Sequence, residues 1–133
     1  MLEIFERRNL LLTEHNPGAQ LDYVVTLQSE LSGCETVFPA HMTLRYVPDR
    51  LIIKPDCLAE YFAEIARIPF DNFETAAVLL MEDFNNEIIP RWINLRLDKQ
   101  KADNASVQHH EAALEDRQPK WHNPRLLDRL ERY

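Results

Sequence analysis

The chain has 133 residues and a formal net charge of −7, with 45% hydrophobic and 28% charged residues, which is typical of one globular domain and not of a disordered chain. The acidic balance argues against direct binding of nucleic acid, because neutralising phosphate groups requires clustered lysine and arginine. Only two glycines are present, which excludes the glycine-rich loops of the Rossmann and P-loop classes.

The first part of the chain predicts a short leading segment and then a pair of strands. Residues 1–13 hold scattered apolar side chains that would pack as a short strand or helix, and the Asn-Pro-Gly sequence at 16–18 is a turn signal. Alternation of apolar and polar residues predicts strands over 21–31 and 41–47, and an extended apolar segment follows at 51–53.

The middle of the chain predicts two helices. Apolar residues at helical spacing favour a helix from a cap at Asp56 to about Arg67, and Pro69 stops it. Asp71 or Asn72 would cap the next helix. The apolar stripe of this second helix comprises Phe73, Ala76, Ala77, Leu80, Met81 and Phe84.

The last part of the chain predicts a second pair of strands and a polar tail. Apolar residues over 92–97, after Pro90, predict a third strand, and the pattern over 106–110 indicates a fourth. Residues 111–133 are either a docking helix or a mobile tail, since Leu126, Leu127 and Leu130 are spaced for one amphipathic helix.

This element order predicts a single α+β domain over residues 16–110, between a leading segment, 1–15, and the tail, 111–133. Apolar runs such as Ala76–Met81 are too short to cross a bilayer. The first ten residues carry four charged side chains in place of the apolar core of a signal peptide. We therefore expect a cytoplasmic protein without membrane contact, in which both cysteines stay reduced.

Five short motifs follow one another between residues 16 and 97. They are Asn16-Pro17 with Asp22-Tyr23, Phe38-Pro39-Ala40-His41-Met42-Thr43-Leu44, Tyr46-Val47-Pro48-Asp49, Phe73-Glu74 and Pro90-Arg91-Trp92. In this order, they resemble the QueF-type 7-cyano-7-deazaguanine reductase family of the tunnelling-fold superfamily. The resemblance implies the tunnelling fold, an antiparallel four-stranded sheet with two helices on one face. It also implies a ring-shaped homo-oligomer, because the open edges of such a sheet pair with further copies.

The resemblance implies a ligand-binding role for Glu74. In tunnelling-fold enzymes a glutamate near the second helix binds the ring N–H and the exocyclic amine of a purine or pterin. A carboxylate suits this task, since it accepts two parallel N–H bonds and its charge strengthens both. A glutamate in the first turn of a helix is also favoured by the helix dipole alone, so both interpretations stay open.

The resemblance also implies that Cys34 is a nucleophile. Enzymes of the family add a thiolate to a nitrile carbon and form a covalent thioimide, which two hydride transfers then reduce. A Ser-Gly-Cys turn after a strand would present such a thiol, although an inert buried cysteine would give the same sequence. Ala40 replaces the family's acidic aspartate. His41 is a second catalytic candidate because histidine is a common general acid or base, but strand alternation places it on the opposite face from Ala40, and a structural histidine is the alternative.

The stretch that corresponds to the family's NADPH-binding signature departs from that signature. Asp56 and Ala59 stand where two lysines would meet phosphates, and an aspartate repels a phosphate group. The family's Gly-Gly-Ile segment after the third strand is also missing. We therefore predict no cofactor and no standard reduction of a nitrile by NADPH.

No metal site is predicted either. In GTP cyclohydrolase I, a related tunnelling-fold enzyme, a Cys-Glu-His-His motif and a second cysteine hold zinc. Cys34-Glu35 would begin such a motif, but Thr36 and Val37 replace its histidines. The His-His pair at 109–110 would point to opposite faces of a strand, so a solvated pair is the simpler interpretation.

Two functions follow as expectations. The first is a divergent QueF-like protein, linked to 7-deazaguanine (queuosine-type) metabolism, that holds a purine-, deazapurine- or pterin-like heterocycle against Glu74. Cys34 would then line the pocket or act covalently, by reductase-like chemistry or by forming an amidine when ammonia or an amine traps a thioimide. The second is a non-catalytic tunnelling-fold homo-oligomer that serves as a structural or protein-interaction module.

Overall fold

A helix and a short strand precede two strand pairs that flank two helices in this computed structural model, which describes residues 3–101 and 104–130. The α-helices are α1 Ile4–Arg8, α2 Leu58–Ala66, α3 Phe73–Ile88 and α4 Pro124–Leu130. The strands are β1 Thr13–His15, β2 Val25–Leu31, β3 Ala40–Val47, β4 Leu51–Ile53, β5 Trp92–Gln100 and β6 His109–Arg117. The predicted α+β class is confirmed. None of the described helices is long and apolar enough to cross a membrane.

The larger sheet is antiparallel throughout, with the strand order β2-β3-β5-β6, and β1 pairs with β4 in a separate two-stranded sheet. One row across the larger sheet consists of leucines, because Leu27, Leu44, Leu95 and Leu114 lie opposite one another in the register. Leu44 and Leu95 are fully buried. This row fixes the register, since a slip by one residue would turn the leucines to the other face.

Helices α2 and α3 form one hydrophobic core with the face of the sheet that carries this leucine row. All six residues of the apolar stripe predicted for the second helix are buried in α3, and α3 contacts β5 and β6. The Tyr61 ring of α2 packs against the Phe84 ring of α3, with centroids 5.5 Å apart. Each large apolar side chain buried in this way stabilises the fold by about 1.5–3 kcal/mol.

A buried carboxylate joins α1 to the two core helices. Asp83 of α3 is fully buried and accepts hydrogen bonds from Arg7 (2.7 and 2.9 Å), Arg8 (2.7 Å) and the Tyr61 hydroxyl (2.7 Å). Burial by itself raises the pKa of Asp83, but these three donors outweigh it and hold the pKa below its ordinary value. Charge-assisted hydrogen bonds therefore hold α1 in place.

The cap of α3 was predicted correctly and that of α2 was not. The Asn72 side chain accepts a hydrogen bond from the Thr75 N–H at 2.8 Å and caps α3. Asp56 does not cap α2, because it lies inside a 3-10 turn, Pro55–Cys57, that precedes the helix. Proline in the first position of this turn fixes φ and sets the tight geometry before α2 begins.

The fourth strand lies further along the chain than predicted. The sequence indicated a strand over 106–110, whereas β6 runs from His109 to Arg117 and pairs at every position with β5. Its Ala-Ala-Leu-Glu sequence has weak strand propensity, and pairing with β5 overrides that preference. The predicted amphipathic helix of the tail corresponds to α4, and residues 131–133 of the tail lie outside the described residues.

Candidate functional site

Glu74 lies in the first turn of α3 and contacts the edge strand β6. Its Oε2 is 2.5 Å from Nε2 of His110, and 61% of the Glu74 side chain is exposed. The His110 ring stacks on Phe73, with centroids 4.2 Å apart and an interplanar angle of 25°. The accessible carboxylate of Glu74 is thus held by His110, which lies 36 positions further along the chain. Phe73, the residue before Glu74, supports the His110 ring.

The contact with His110 also sets the charge of Glu74. The hydrogen bond from His110 is the main cause that holds the pKa of Glu74 below its ordinary value, and a bond within the residue's own backbone adds to it. Glu74 is therefore ionised at neutral pH. An ionised carboxylate offers only acceptor positions, so this group is suited to an N–H-bearing ligand.

Cys34 lies in the loop between β2 and β3, at the end of the sheet where β3 begins. Its carbonyl oxygen accepts hydrogen bonds from the N–H groups of Val37 and Phe38, at 3.1 and 2.9 Å. Its half-buried Sγ is 3.9 Å from the carbonyl oxygen of Phe70, in the loop before α3. Gly33 allows this turn, since a Cβ there would lie 2.6 Å from a ring carbon of Phe38.

Lys99, in β5, fastens the Cys34 loop to the sheet. Its Nζ donates hydrogen bonds to the carbonyl oxygens of Glu35 at 2.6 Å and Phe38 at 3.1 Å. The side chain is buried, and a buried ammonium group needs such partners. Lys99 lies opposite His110 in the strand register. The loop that carries Cys34 and the strand that positions Glu74 are therefore joined through β5.

The structure brings Cys34 and Glu74 to the same end of the sheet and reveals two residues that sequence analysis missed. Buried and less buried residues alternate along β5, and Lys99 is the next buried position after Leu97. A predicted third strand that continued past residue 97 would have included it. His110 was interpreted as one half of a solvated pair. It points away from His109, as strand alternation predicted, and its own partner is Glu74.

His41 is not part of this group. It lies on the face of the sheet opposite the helices, and its Nδ1 is 2.6 Å from Oε1 of Glu30, its cross-strand partner on β2. Ala40, where the resembled family has an acid, is buried. His41 is therefore one member of a cross-strand pair with Glu30.

At the opposite end of the sheet, five of the motif residues form one hydrogen-bonded cluster. Asn16 accepts from the Tyr23 hydroxyl at 2.5 Å and donates to the Asp49 carbonyl at 2.8 Å. Arg91 binds the carboxylates of Asp22 at 3.1 Å and Asp49 at 3.3 Å. These contacts join the segment before β2, the turn after β3 and the start of β5. The motifs at this end therefore have a structural role.

Among the described residues, no group of three or more histidine, cysteine, aspartate or glutamate side chains is placed to hold a metal ion. No family model matches the chain, and no curated protein matches it.

Proposed function

We propose that the chain is a divergent QueF-like protein of the tunnelling-fold superfamily that binds a purine-, deazapurine- or pterin-like heterocycle against Glu74. The observation that carries the proposal is the accessible, ionised carboxylate of Glu74, held 2.5 Å from His110 at the end of the sheet that also carries Cys34. The strand order β2-β3-β5-β6, with α2 and α3 between the strand pairs, supports the tunnelling fold. The protein would act in 7-deazaguanine (queuosine-type) metabolism.

The geometry of the Glu74 side chain suits the amidine-like edge of such a ring. Oε2 contacts His110, and the carboxylate also accepts a bond from the residue's own backbone. Each carboxylate oxygen has two acceptor positions, so the group can accept further N–H bonds from a ligand while the contact with His110 is kept. The partly exposed imidazole, already stacked on Phe73, gives a planar ligand an aromatic surface beside the carboxylate.

Cys34 would react with a ligand that carries a nitrile. The thiolate adds to the nitrile carbon, the nitrogen takes up a proton, and a thioimide results. Ammonia or an amine then attacks the same carbon and expels the thiolate, which leaves an amidine and consumes no hydride. Ala40 and Asp56 are the reasons why the proposal does not include standard reduction by NADPH.

The proposal is tested by incubating the protein with 7-cyano-7-deazaguanine, guanine and a pterin. We expect the nitrile ligand to raise the melting temperature and to add its mass at Cys34, as read by peptide mass spectrometry. Cys34→Ala should keep the thermal shift and lose the adduct, since the thiol reacts but does not anchor the ring. If no purine, deazapurine or pterin shifts the melting temperature and no adduct forms, the heterocycle proposal is wrong.

The alternative function is a non-catalytic homo-oligomer that acts as a structural or protein-interaction module. It is favoured by the two outer strands of the larger sheet, β2 with 7 residues and β6 with 9, each of which pairs on one side only within the described chain. Long unpaired edges recruit further strands. Both functions share this assembly, and a monomer in multi-angle light scattering would contradict it.

A further inference from the structure

The face of the larger sheet opposite α2 and α3 carries an arginine that has no partner in the described part of the chain. Arg45 is half-buried in β3 and lies between Thr26 on β2 and Asn94 on β5, neither of which is acidic. Within residues 3–101 and 104–130, no hydrogen bond or ion pair is found for Arg45. By contrast, Arg7 and Arg91, which are buried or partly buried, bind carboxylates. A half-buried guanidinium is stabilised by an anionic partner, and this one lies in a chain with a net charge of −7.

Helix α4 crosses this face and leaves a cleft beside Arg45. The cleft has a volume of about 540 Å³ and is bounded by the start of β2, by Arg45 and by Leu126, Arg129 and Leu130 of α4. Arg129 is a second guanidinium with no ion pair among the described residues. The cleft therefore has one arginine in its sheet wall and one in its helix wall.

The carboxylate that lines this cleft is already engaged. Asp22 is the one acidic side chain among the described residues on its walls. It accepts hydrogen bonds from Arg91 at 3.1 Å, Trp121 at 3.1 Å and Asn123 at 3.0 Å. Asp22 is thus committed to the segment that leads into α4 and is not paired with Arg45 or Arg129.

A neighbouring cleft is lined by a buried tryptophan. It has a volume of about 400 Å³, shares Arg45 and Leu130 with the first cleft, and is lined by Trp92. Trp92 is 4% exposed, and its buried Nε1 has no hydrogen-bond partner among the described residues. A buried N–H group without an acceptor is rare in folded proteins. Asp128, which also lines this second cleft, lies on α4 at the solvent side.

We propose that the cleft between β3 and α4 binds a small molecule through a phosphate or carboxylate group, with Arg45 as the principal ligand and Arg129 as the second. Guanidinium binds the paired oxygens of either group in a bidentate fork. The volume is that of a small-molecule pocket, which is larger than one ion needs. This site lies on the opposite face of the sheet from α2 and α3 and does not depend on the role of Glu74.

The test titrates inorganic phosphate, phenyl phosphate and benzoate into the protein at low salt, by calorimetry and by tryptophan fluorescence. We expect saturable binding of at least one probe. Binding of the two phosphates alone would identify a phosphate site, and binding of benzoate alone a carboxylate site. Arg45→Met should weaken this binding by about tenfold or more, because a charge-assisted bidentate contact is lost.

Matched variants separate a specific site from general charge. Arg129→Met should also weaken binding, and Arg45→Lys should weaken it less than Arg45→Met, because lysine keeps the charge but not the fork. Arg67→Met is the control, since Arg67 is exposed at the end of α2, away from the cleft, and pairs with Glu64. The affinity of this variant for the probe should stay within about twofold of wild type. Methionine keeps the packing of the Arg45 stem, so the melting temperature should not fall.

The proposal is overturned if no probe binds at millimolar concentration. It is also overturned if Arg45→Met and Arg67→Met lose the same affinity, because general charge then accounts for the binding. Should Arg45→Met fail to fold, Arg45→Lys and Arg129→Met decide, and unchanged affinity in both overturns the proposal.

Discussion

Glu74 Oε2 and His110 Nε2 are 2.5 Å apart although the two residues are separated by 36 positions in sequence. This contact joins the first turn of α3 to the outer strand of the sheet, and the Phe73 ring supports the imidazole from one face. A carboxylate that is held before a ligand arrives binds with a smaller loss of conformational freedom. His110 is therefore a positioning residue for Glu74 in the proposed site.

Replacing His110 should affect both the pKa of Glu74 and ligand affinity. In His110→Ala, we expect the pKa of Glu74 to rise toward its ordinary value, because the hydrogen bond that lowers it is gone. Carbon-detected NMR titration of the Glu74 carboxyl group measures this change, and heterocycle affinity should fall by about tenfold. His109→Ala is the control, since His109 points away from Glu74. Equal effects of the two variants would refute the positioning role.

Lys99 should govern the accessibility of Cys34. Lys99→Met removes two donors from the loop carbonyls of Glu35 and Phe38, so we expect a loss of about 1–3 kcal/mol in the free energy of unfolding. We also expect faster modification of Cys34 by a thiol reagent in the native protein, followed by mass spectrometry. Lys120→Met, an exposed site, is the control. Unchanged Cys34 reactivity in Lys99→Met would show that Lys99 does not hold the loop.

Removing the charge of Asp83 should destabilise the protein strongly. Asp83→Asn leaves Arg7 and Arg8 without their carboxylate, and breaking a buried ion pair in this way costs about 3–5 kcal/mol. Urea unfolding measures the loss. Asp71→Asn, at an exposed position before α3, should change stability by less than about 0.5 kcal/mol.

The same residue predicts how stability depends on pH. The folded-state pKa of Asp83 is below its ordinary value, so its contribution is present above the unfolded pKa of about 4 and is lost as the pH falls through the folded pKa. The free energy of unfolding of the wild type should therefore drop on acidification below about pH 4. In Asp83→Asn this part of the slope should be missing, and an identical slope in both proteins would argue against the cluster.

The C-cap of α3 offers a stabilising substitution. Ile89 ends this helix in the left-handed conformation, with φ 47° and ψ 58°, and a side chain with a branched Cβ is strained there by about 1–2 kcal/mol. Its side chain is 61% exposed, so little packing is lost on truncation. Ile89→Gly should raise the free energy of unfolding by about 1 kcal/mol in urea titrations. Ile89→Ala keeps the Cβ and should gain less.

The sequence predicted those helices and strands in which apolar residues recur at the period of the element itself. The six residues of the apolar stripe of α3 recur at the period of a helix, and all six are buried. Residues with this period lie on one face of a helix, so the pattern predicts which face is buried. The strands β2, β3 and β5 alternate for the same reason. The position of β6 was not predictable, because a sequence such as Ala-Ala-Leu-Glu pairs as a strand only when β5 offers it an edge.

The candidate site was predictable only in part. The residues that were not predicted depend on the position of β6. Glu74 and Cys34 were proposed from short motifs, and the structure places both at one end of the sheet. Their supporting residues, His110 and Lys99, become neighbours through the pairing of β5 with β6. A register between distant strands has no local signal, so neither supporting contact was visible in the sequence.

Binding of a heterocycle by Glu74 is tested most directly by a calorimetric titration of 7-cyano-7-deazaguanine into wild type, Glu74→Gln and Glu82→Gln. Glutamine keeps the size of the side chain but has one acceptor oxygen fewer and no charge, and Glu82 is an exposed glutamate on the same helix. We expect saturable binding to the wild type and to Glu82→Gln, with affinity at least about tenfold weaker in Glu74→Gln. Equal affinity in all three proteins, or no binding to the wild type, would contradict it.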